Sequence, residues 1–462
     1  MSLPIPQPPG IPILGNIFDV DSSNTWASLK KLSEKYGEIF QIKVLGHSII
    51  FVAGAALAEE LCDEKRFRKY VGGPIVEIRQ AVHDALFTAY DHEESWGIAH
   101  RIIAPKLSPT SIAEKFPEMS ETTDELIAKW RGLGTSSNAV SILSELNRLN
   151  LEATTLTLFG KKLNCLTGKE HPMIQAMDIS TGEAMRRPTR PGLLNWLIYG
   201  RAFQRGIDTM RAYGDDLVKH RKMNPTDKQD LLAAMMNAKD PQTGKQLTSS
   251  QVVDEIVSMP IGSSTAPALL STAVYFLLKN PAVIAAARRE IDEVVGTGQP
   301  LMYSHIAHLE YMEGIVRESL RLSFAAPGFN IEPLPRGDAN DKSPVLLAGG
   351  KYAIVPSQPI IIVLAGVNRD PTVFSDPLAF KPQRMTGQSF AQLPAGVKKW
   401  YGNGKRECIG KHYAWLWNMV VLTKLVREVD FEAVDPGYEL AQDGHFNLRP
   451  VNFQVKVNPR SI

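Results

Sequence analysis

The sequence is poor in cysteine, in net charge and in apolar residues at its start. Three cysteines, Cys62, Cys165 and Cys408, occur among 462 residues, and so sparse and odd a set argues against a disulfide framework and for a reducing compartment. The proline-rich residues 1–15 contain no apolar run approaching the roughly 20 residues of a membrane span. A balance of 51 basic against 49 acidic residues predicts no nucleic-acid partner. These absences predict a soluble, cytoplasmic protein without a transmembrane segment.

The most informative segment is the glycine-rich stretch 400–410, which reads Trp-Tyr-Gly-Asn-Gly-Lys-Arg-Glu-Cys-Ile-Gly. Gly402 and Gly404 allow a turn tight enough to aim backbone N–H groups at the Cys408 sulfur. Apolar residues at helical spacing over 411–429 predict a long buried helix, whose N-terminal dipole favours an ionised sulfur. Such a thiolate is suited to binding haem iron. The alternative is an ordinary buried cysteine that follows a glycine turn.

This loop resembles the haem-binding signature of the cytochrome P450 family, in which an aromatic residue leads into Gly-Asn-Gly-x-Arg-x-Cys-Ile-Gly. The resemblance covers nearly the whole chain and is closest to the fatty-acid-hydroxylating branch that is fused to a diflavin reductase in bacteria and fungi. The opening Pro-Gly-Ile-Pro-Ile-Leu-Gly-Asn is typical of the fungal members. The resemblance implies a hydrophobic small-molecule substrate, O2, haem b, and a fused or separate reductase that supplies electrons through FAD, FMN and NADPH.

The same resemblance implies the architecture. It predicts one mainly α domain over residues 1–462 with the cytochrome P450 fold. A smaller β-rich lobe is expected from about 38–55 and 328–365, with a helical body for the rest. Because the chain stops where the haem domain of such fusions ends, we expect the reductase to be missing from this chain.

Residues that match the family's haem contacts occur throughout the chain. The resemblance assigns the iron to Cys408 and the other haem contacts to Arg406, Lys69, Trp96, His100, Tyr401, Gly402, Ile409 and Gly410. Without the family match, Trp96 would be interpreted as core packing and His100 as an ordinary surface contact. Tyr401 replaces the usual phenylalanine, and a phenol beside the thiolate alters the expected reduction potential.

A carboxylate and a guanidinium, Glu318 and Arg321, are spaced to pair on one helix. In the family this pair is completed by the arginine of a Pro-x-Arg motif, which Arg384 matches. Without the cysteine loop, Glu318 and Arg321 would be interpreted as a surface pair of little energetic weight.

The segment 261–265 matches the place where the family has an acid and an alcohol that relay protons. Thr265 keeps the alcohol, but Ser264 stands where the acid is expected, and a hydroxyl cannot gather a proton from bulk water as a titrating group does. Pro260 and Pro267 flank the segment and each removes a helical N–H. We expect a bent and hydrated helix, the alternative being a kink without a role.

The predicted substrate pocket is apolar. By resemblance it is formed by Ile75, Ile78, Val82, Phe87, Ile261, Ala326, Gly328 and Phe329. His47 and Phe51 stand where the fatty-acid hydroxylases hold a carboxylate with an arginine and a tyrosine, so a fatty acid would be held poorly. The arginines at 186, 187 and 190 could bind an acidic substrate instead, or they could form a solvated basic turn.

Local patterns predict the order of elements. Alternation predicts a hairpin of 38–44 and 48–52 around residues 45–47. Thr248 and Gln251 are spaced as a capping box for a long apolar helix that ends near Asn280. Helical periodicity predicts further helices over 26–35, 55–63, 112–130, 141–158, 199–222, 281–295 and 303–322.

Together these observations predict a monooxygenase that inserts one oxygen atom from O2 into a hydrophobic molecule. One alternative is subterminal fatty-acid hydroxylation. A second is a haem-thiolate isomerase or peroxide-using enzyme, because such chemistry does not need the relay that Ser264 interrupts. A third is a non-enzymatic haem-based binder or sensor.

Overall fold

The computed structural model describes residues 2–44, 46–134, 138–338, 340–356, 358–444 and 446–460. Leu45, in the predicted hairpin turn, lies outside the described residues. The α-helices are α1 Thr25–Tyr36, α2 Ala55–Glu60, α3 Pro74–Val82, α4 Glu94–Ile103, α5 Pro109–Ala113, α6 Phe116–Arg131, α7 Ile142–Phe159, α8 Pro172–Arg186, α9 Gly192–Leu194, α10 Gly200–Met223, α11 Leu231–Asn237, α12 Ser249–Ser263, α13 Thr265–Lys279, α14 Pro281–Val295, α15 Tyr303–Ile306, α16 Glu310–Ser323, α17 Leu364–Val367, α18 Gly387–Ala391 and α19 Lys411–Glu428.

The strands are short and cluster near the two ends of the chain. They are β1 Ile39–Val44, β2 His47–Val52, β3 Phe67–Lys69, β4 Ala139–Ser141, β5 Gly328–Pro333, β6 Val345–Leu347, β7 Tyr352–Ile354, β8 Ile360–Val363, β9 Val429–Ala433, β10 Gln442–Gly444, β11 Leu448–Pro450 and β12 Gln454–Pro459.

The main sheet has the strand order β1-β2-β8-β5-β3. The predicted hairpin is present, and its antiparallel register pairs Ile39 with Val52 and Val44 with His47. β2 runs parallel to β8, whereas β5 runs antiparallel to both β8 and β3. A core of its own, which includes Phe40 and Phe51 stacked at 5.1 Å between ring centroids, lies under this sheet.

Strands also occur outside the two ranges predicted for the β-rich lobe. β4, β12 and β9 form a three-stranded sheet, and β10 pairs with β11. The prediction of a helical body for the rest of the chain therefore omitted them. β4, β10 and β11 have three residues each, which is too few to show an alternation of apolar residues.

The helical body packs around α19, which contacts α6, α14 and α16. Trp130 on α6 and Trp417 on α19 are fully buried in its core. Two of the predicted helices are divided. The range 112–130 breaks between α5 and α6, and 303–322 breaks between α15 and α16.

The long apolar helix begins at the predicted capping box. The Thr248 hydroxyl accepts the Gln251 N–H at 3.2 Å, and the Gln251 side chain accepts the Thr248 N–H at 3.0 Å. The helix contains Pro260 and is interrupted at Ser264, where α12 gives way to α13. The interruption was expected, because proline removes a backbone donor. The combined run Ser249–Lys279 is long and apolar enough to cross a membrane, but 67% of its most apolar window is buried in the protein.

Candidate active site

A large cavity lies where the main sheet meets the helical body. Its volume is about 1530 Å³. Its walls come from β2, β5, α3, α4, α7, α12, α13, α19 and the 400–410 loop, and most of the lining residues are apolar. A cavity of this size and lining is typical of a site for a cofactor together with a small organic molecule.

The 400–410 loop forms one wall of this cavity. Gly402 and Gly404 have φ of 79° and 62°, which is the left-handed region that glycine enters without strain. The turn lets the Cys408 N–H donate to the Tyr401 carbonyl at 2.8 Å. Three residues further on, α19 begins, so the cysteine lies just before the start of an 18-residue helix.

The Cys408 side chain has exposed surface, but that surface opens on the cavity. Burial raises the pKa of the Cys408 thiol above its ordinary value, while the Gly410 N–H and the charges of Lys411 and Lys69 oppose this shift. Burial outweighs the loop and the nearby charges, so the polypeptide alone does not ionise the sulfur. A bound cation at the sulfur would supply the missing positive charge.

Cationic side chains line the cavity near the loop. Arg406 Nη2 donates to the carbonyls of Leu86 at 3.2 Å and Ala89 at 2.8 Å, and Lys69 Nζ donates to the Phe87 carbonyl at 2.5 Å. Neither cation forms an ion pair with a carboxylate in the part of the chain that the structure describes. Burial and the neighbouring charge of Arg406 hold the pKa of Lys69 well below its usual value, and burial lowers the pKa of Arg406 to about 10.

Two aromatic donors complete this edge of the cavity. Trp96 and His100 lie one turn apart on α4, with ring centroids 5.0 Å apart, and the Arg406 guanidinium lies 5.1 Å from the Trp96 ring centroid. Burial lowers the pKa of His100, so it is neutral near pH 7 and keeps one ring N–H to donate. The cavity is lined by all of the predicted haem contacts, namely Arg406, Lys69, Trp96, His100, Tyr401, Gly402, Ile409 and Gly410.

These residues fit a haem. A cysteine sulfur faces a mainly apolar space, and two partly buried cations without a carboxylate partner among the described residues lie at its edge, where a group with acidic substituents would compensate their charge. The hydroxyl of Tyr401 is buried without a hydrogen-bond partner among the described residues. The predicted effect of this phenol on the reduction potential stays a prediction.

The opposite wall contains the interrupted helix. Thr265 lines the cavity, and its hydroxyl donates to the Gly262 carbonyl at 3.1 Å. Ser264 is not among the lining residues. Its hydroxyl donates to the Ile261 carbonyl at 2.7 Å, and Asn447 Nδ2 donates to the Ser264 carbonyl at 2.8 Å and contacts its hydroxyl at 3.2 Å. The structure therefore separates the two residues that the sequence grouped as a relay.

A polar cluster that sequence reasoning missed lies beside Thr265. Asn150 Nδ2 donates to the Ser263 hydroxyl at 2.8 Å, and the Thr154 hydroxyl lies 3.4 Å from the same oxygen. Asn150 Oδ1 is buried without a hydrogen-bond partner among the described residues. The available signal was the spacing of Asn150 and Thr154, four residues apart in α7, which places both on one face of the helix.

Most of the residues predicted to form the substrate pocket line the cavity. Residues that line the cavity are Ile75, Ile78, Phe87, Ile261, Ala326, Gly328 and Phe329. Val82 does not line it. Val82 is 1% exposed and packs in the helical core, because the last turn of α3 turns its apolar face to the neighbouring helices.

The cavity offers no free cation to an acidic substrate at the predicted positions. Phe51 lines the cavity, whereas His47 is exposed and does not. Arg187 Nε pairs with Glu77 at 2.7 Å. Arg190 pairs with Glu183 and lies 4.0 Å from the Tyr199 ring centroid. Two of the three arginines of this basic turn, Arg187 and Arg190, are thus already paired with carboxylates.

The predicted buried pair is present behind the site. Arg321 Nε and Nη2 each donate to a Glu318 oxygen at 2.8 Å, and neither side chain is exposed. Arg384 Nε lies 3.5 Å from Glu318 Oε1. Arg321 also donates to the carbonyls of Asn368, Pro377 and Ala379. This network connects α16 to the segment before the cysteine loop.

A mainly helical fold in which a cysteine at a helix start faces a cofactor-sized apolar cavity defines the class of haem-thiolate proteins. The cytochrome P450 family matches residues 5–457, and the chain belongs to this family.

The chain is similar to several curated fungal proteins. It is 36% identical over 462 residues to a self-sufficient cytochrome P450 monooxygenase of Penicillium freii, covering 99% of this chain and 43% of the relative. It is 35% identical over 457 residues to a bifunctional cytochrome P450/NADPH–P450 reductase of Acremonium egyptiacum, covering 97% and 42%. It is 34% identical over 465 residues to a self-sufficient cytochrome P450 monooxygenase of Phanerodontia chrysosporium, covering 100% and 43%. The chain thus spans less than half the length of these relatives.

Proposed function

We propose that this chain is the haem domain of a monooxygenase that inserts one oxygen atom from O2 into a hydrophobic organic molecule. Electrons come from an NADPH-dependent reductase that contains FAD and FMN, fused to the domain or separate, and the enzyme works in the cytoplasm. The observation that carries the proposal is the Cys408 sulfur facing a large apolar cavity with two cations at its edge. The reductase activity named for the Acremonium egyptiacum relative supports the electron source.

Different residues of this chain bind different parts of the haem. Haem b, ligated by Cys408, supplies oxygen activation, because electron donation from a thiolate favours O–O cleavage. Arg406 and Lys69 bind its acidic edge, and Trp96 and His100 donate further hydrogen bonds there. The apolar walls exclude water from the substrate, which strengthens each polar interaction that remains.

Proton delivery in this proposal uses hydroxyl groups and water. The Thr265 hydroxyl is held at the cavity by the Gly262 carbonyl and passes a proton onward by rotating away from it. Asn150 and Ser263 bind water beside it through the unpartnered Asn150 Oδ1. Ser264 serves to fix the interruption of the helix through Asn447.

The substrate is neutral and apolar. The cavity-lining residues at the predicted pocket are aliphatic or aromatic, and the arginines of the basic turn are paired with Glu77 and Glu183. Because Lys69 and Arg406 are assigned to the haem, a fatty-acid carboxylate would enter without a free cation to receive it, so fatty-acid hydroxylation is the weaker alternative.

Turnover with a diflavin reductase tests this function. The domain is supplied with reductase, NADPH, ¹⁸O₂ and a panel that contrasts long-chain fatty acids with neutral polycyclic compounds. We expect a product that carries one ¹⁸O atom from a neutral compound, with fatty acids poorer. Absence of oxygenated product from every compound would overturn the proposal.

A second candidate is a peroxide-using enzyme. The position of Ser264, which contacts Asn447 rather than the cavity, favours it, because a peroxide brings its oxygen already reduced. The discriminating experiment supplies hydrogen peroxide without NADPH or reductase. Turnover at a rate equal to or above that of the NADPH-driven reaction would favour this candidate over the first.

A further inference from the structure

Glu255 is a buried acid behind the wall of the cavity. It lies on α12 and is 2% exposed. Its Oε1 accepts the Leu86 N–H at 2.9 Å, while its Oε2 is buried without a hydrogen-bond partner among the described residues. A carboxyl group in such a place costs folding free energy, so its presence calls for a reason.

The segment that Glu255 contacts forms part of the cavity wall. Leu86 and Phe87 lie between α3 and α4, and both line the cavity. Arg406 donates to the Leu86 carbonyl at 3.2 Å, and Lys69 donates to the Phe87 carbonyl at 2.5 Å. Two cations thus hold the segment from one side, and Glu255 holds it from the side of the interrupted helix.

The position of this segment sets the position of an aromatic ring. The Phe87 ring packs edge-on against Phe446, with centroids 5.7 Å apart, and Lys69 Nζ lies 4.4 Å from the Phe87 centroid. Phe446 lines the cavity as well. A shift of the Leu86 backbone would therefore change the width of the cavity.

Charged groups around Glu255 disfavour its ionised form. Burial, together with the charges of Asp254 and Asp84, raises the pKa of Glu255 to about 8, although the hydrogen bond from the Leu86 N–H opposes this shift. The Arg211 guanidinium on α10 pairs with Asp254 at 2.5 Å, and His83 Nδ1 lies 3.0 Å from the same carboxylate. The other neighbours are polar and neutral, namely Gln251, which donates to Asp84 at 3.2 Å, and Ser95 on α4. Glu255 is thus mainly neutral at pH 7.

From this geometry, and resting on the proposed function, we infer that Glu255 is a positioning residue of the active site: in its neutral form it holds the Leu86–Phe87 segment against the cavity. Ionisation places a negative charge between Asp84 and Asp254 in a nearly dry site. Water must then enter beside Oε2, or the side chain must move and carry the Leu86 N–H with it, because a carboxylate accepts this hydrogen bond more strongly than the neutral acid does. The substrate pocket therefore changes with pH through a residue that does not touch the substrate.

Hydrogen exchange of the Leu86 amide tests the contact directly. Glu255→Gln keeps an oxygen acceptor, whereas Glu255→Leu removes it. At pH 7 we expect at least a tenfold faster exchange at Leu86 in the Leu variant and near wild-type exchange in the Gln variant. Glu290→Leu is the matched control, because Glu290 accepts the N–H groups of Tyr311 and Met312 and its loss should not affect Leu86. Unchanged Leu86 exchange in Glu255→Leu would overturn the inference, whether or not the protein oxidises any substrate.

A ligand titration tests the pH dependence. The probe is 4-phenylimidazole, added to the haem-loaded protein and followed by its absorption shift at pH 7 and pH 9. If binding needs neutral Glu255, the neutral fraction falls from about nine-tenths to about one-tenth, and the wild-type Kd rises about tenfold. We expect no such rise in Glu255→Gln. Equal pH dependence in the two proteins would overturn the inference.

Discussion

The two sides of the cavity are built differently. On the cysteine side, glycines with positive φ, the Cys408-to-Tyr401 hydrogen bond and the start of α19 form a loop that matches the family signature, except that Tyr401 replaces the usual phenylalanine. On the opposite side, the helix is interrupted at Ser264, and the hydroxyl expected in a relay contacts Asn447 instead. The cysteine side accounts for membership of the family. The opposite side is where we expect the particular reaction to be determined.

Loss of the sulfur should have the largest effect. Cys408→Ala removes the ligand on which the cysteine side depends, so we expect loss of monooxygenase activity to the level of free haem. Cys165→Ala is the control, because Cys165 is buried but does not line the cavity. The measurement is product formation per haem. Activity in Cys408→Ala above one-tenth of the wild-type value would contradict the assignment of Cys408 as the haem ligand.

The buried pair behind the cysteine loop should come next. Glu318→Ala leaves Arg321 as an uncompensated buried charge, which is expected to cost about 3–5 kcal/mol of unfolding free energy. Glu34→Ala removes an exposed partner of Lys30 at 3.6 Å and should cost less than about 1 kcal/mol. Urea unfolding measures both. Equal effects would show that the cysteine side is no more tightly organised than the surface.

On the opposite side, Glu255 should make stability depend on pH. Its folded pKa of about 8 lies above the ordinary value of 4.5, so the stability it contributes is present below pH 4.5 and is lost as the pH rises towards 8. Between those values it lowers the unfolding free energy by up to about 1.4 kcal/mol per pH unit. Glu255→Gln should flatten that decline in urea unfolding at pH 5.5, 6.5 and 7.5. A decline as steep as that of the wild type would contradict the assignment of this pKa.

The two hydroxyls at the interruption should differ in their effect on coupling. Thr265→Ala is expected to lower product per NADPH by about tenfold. This decrease is smaller than the one that usually follows removal of a direct proton donor, because water can substitute for the hydroxyl. Ser264→Ala should stay within about twofold, since its hydroxyl is bonded to the Ile261 carbonyl. Product and NADPH are measured together in the reductase assay. Equal losses of product per NADPH in the two variants would show that Ser264 also takes part in proton delivery.

Ser264→Glu sharpens the same comparison. If proton delivery on the opposite side of the cavity is limited by the missing acid, product per NADPH rises in this variant. Since the side chain at 264 contacts Asn447 rather than the cavity, we expect coupling to remain unchanged or to fall. A rise of severalfold would show that the residue can turn into the cavity.

The smallest effect should come from Tyr401. Its hydroxyl is buried without a partner among the described residues, so Tyr401→Phe should leave the protein as stable or stabilise it by up to about 1 kcal/mol. Tyr413→Phe is the matched control, because the Tyr413 hydroxyl lies 3.1 Å from that of Thr157, and its loss should cost about 1 kcal/mol. Thermal unfolding distinguishes them. Destabilisation by Tyr401→Phe would show that the phenol makes a hydrogen bond in the haem-loaded protein.

Features that depend on neighbouring residues were predictable from the sequence. The capping box of Thr248 and Gln251, the hairpin of β1 and β2, and α14 bounded by Pro281 and Gly296 all follow local rules. The range 303–322 was predicted as one helix but forms two. The break after α15 was missed because the apolar spacing continues across the turn that ends at Leu309.

Features that depend on tertiary contacts were not predictable. Whether Ser264 or Ser263 faces the cavity depends on a rotation of about 100° within one helix, and Asn447, nearly 200 residues away in sequence, decides it. The contact of Asn150 with Ser263 and that of Glu255 with Leu86 likewise join distant segments. Val82 could not be separated from Ile78 by spacing alone, since both occupy one face of α3.

The most direct test of the central claim is the absorption spectrum of the reduced, CO-bound protein. A haem held by the Cys408 thiolate predicts the red-shifted Soret band characteristic of thiolate ligation, and Cys408→Ser should lose that shift. An unshifted Soret band in the wild-type protein would contradict the account.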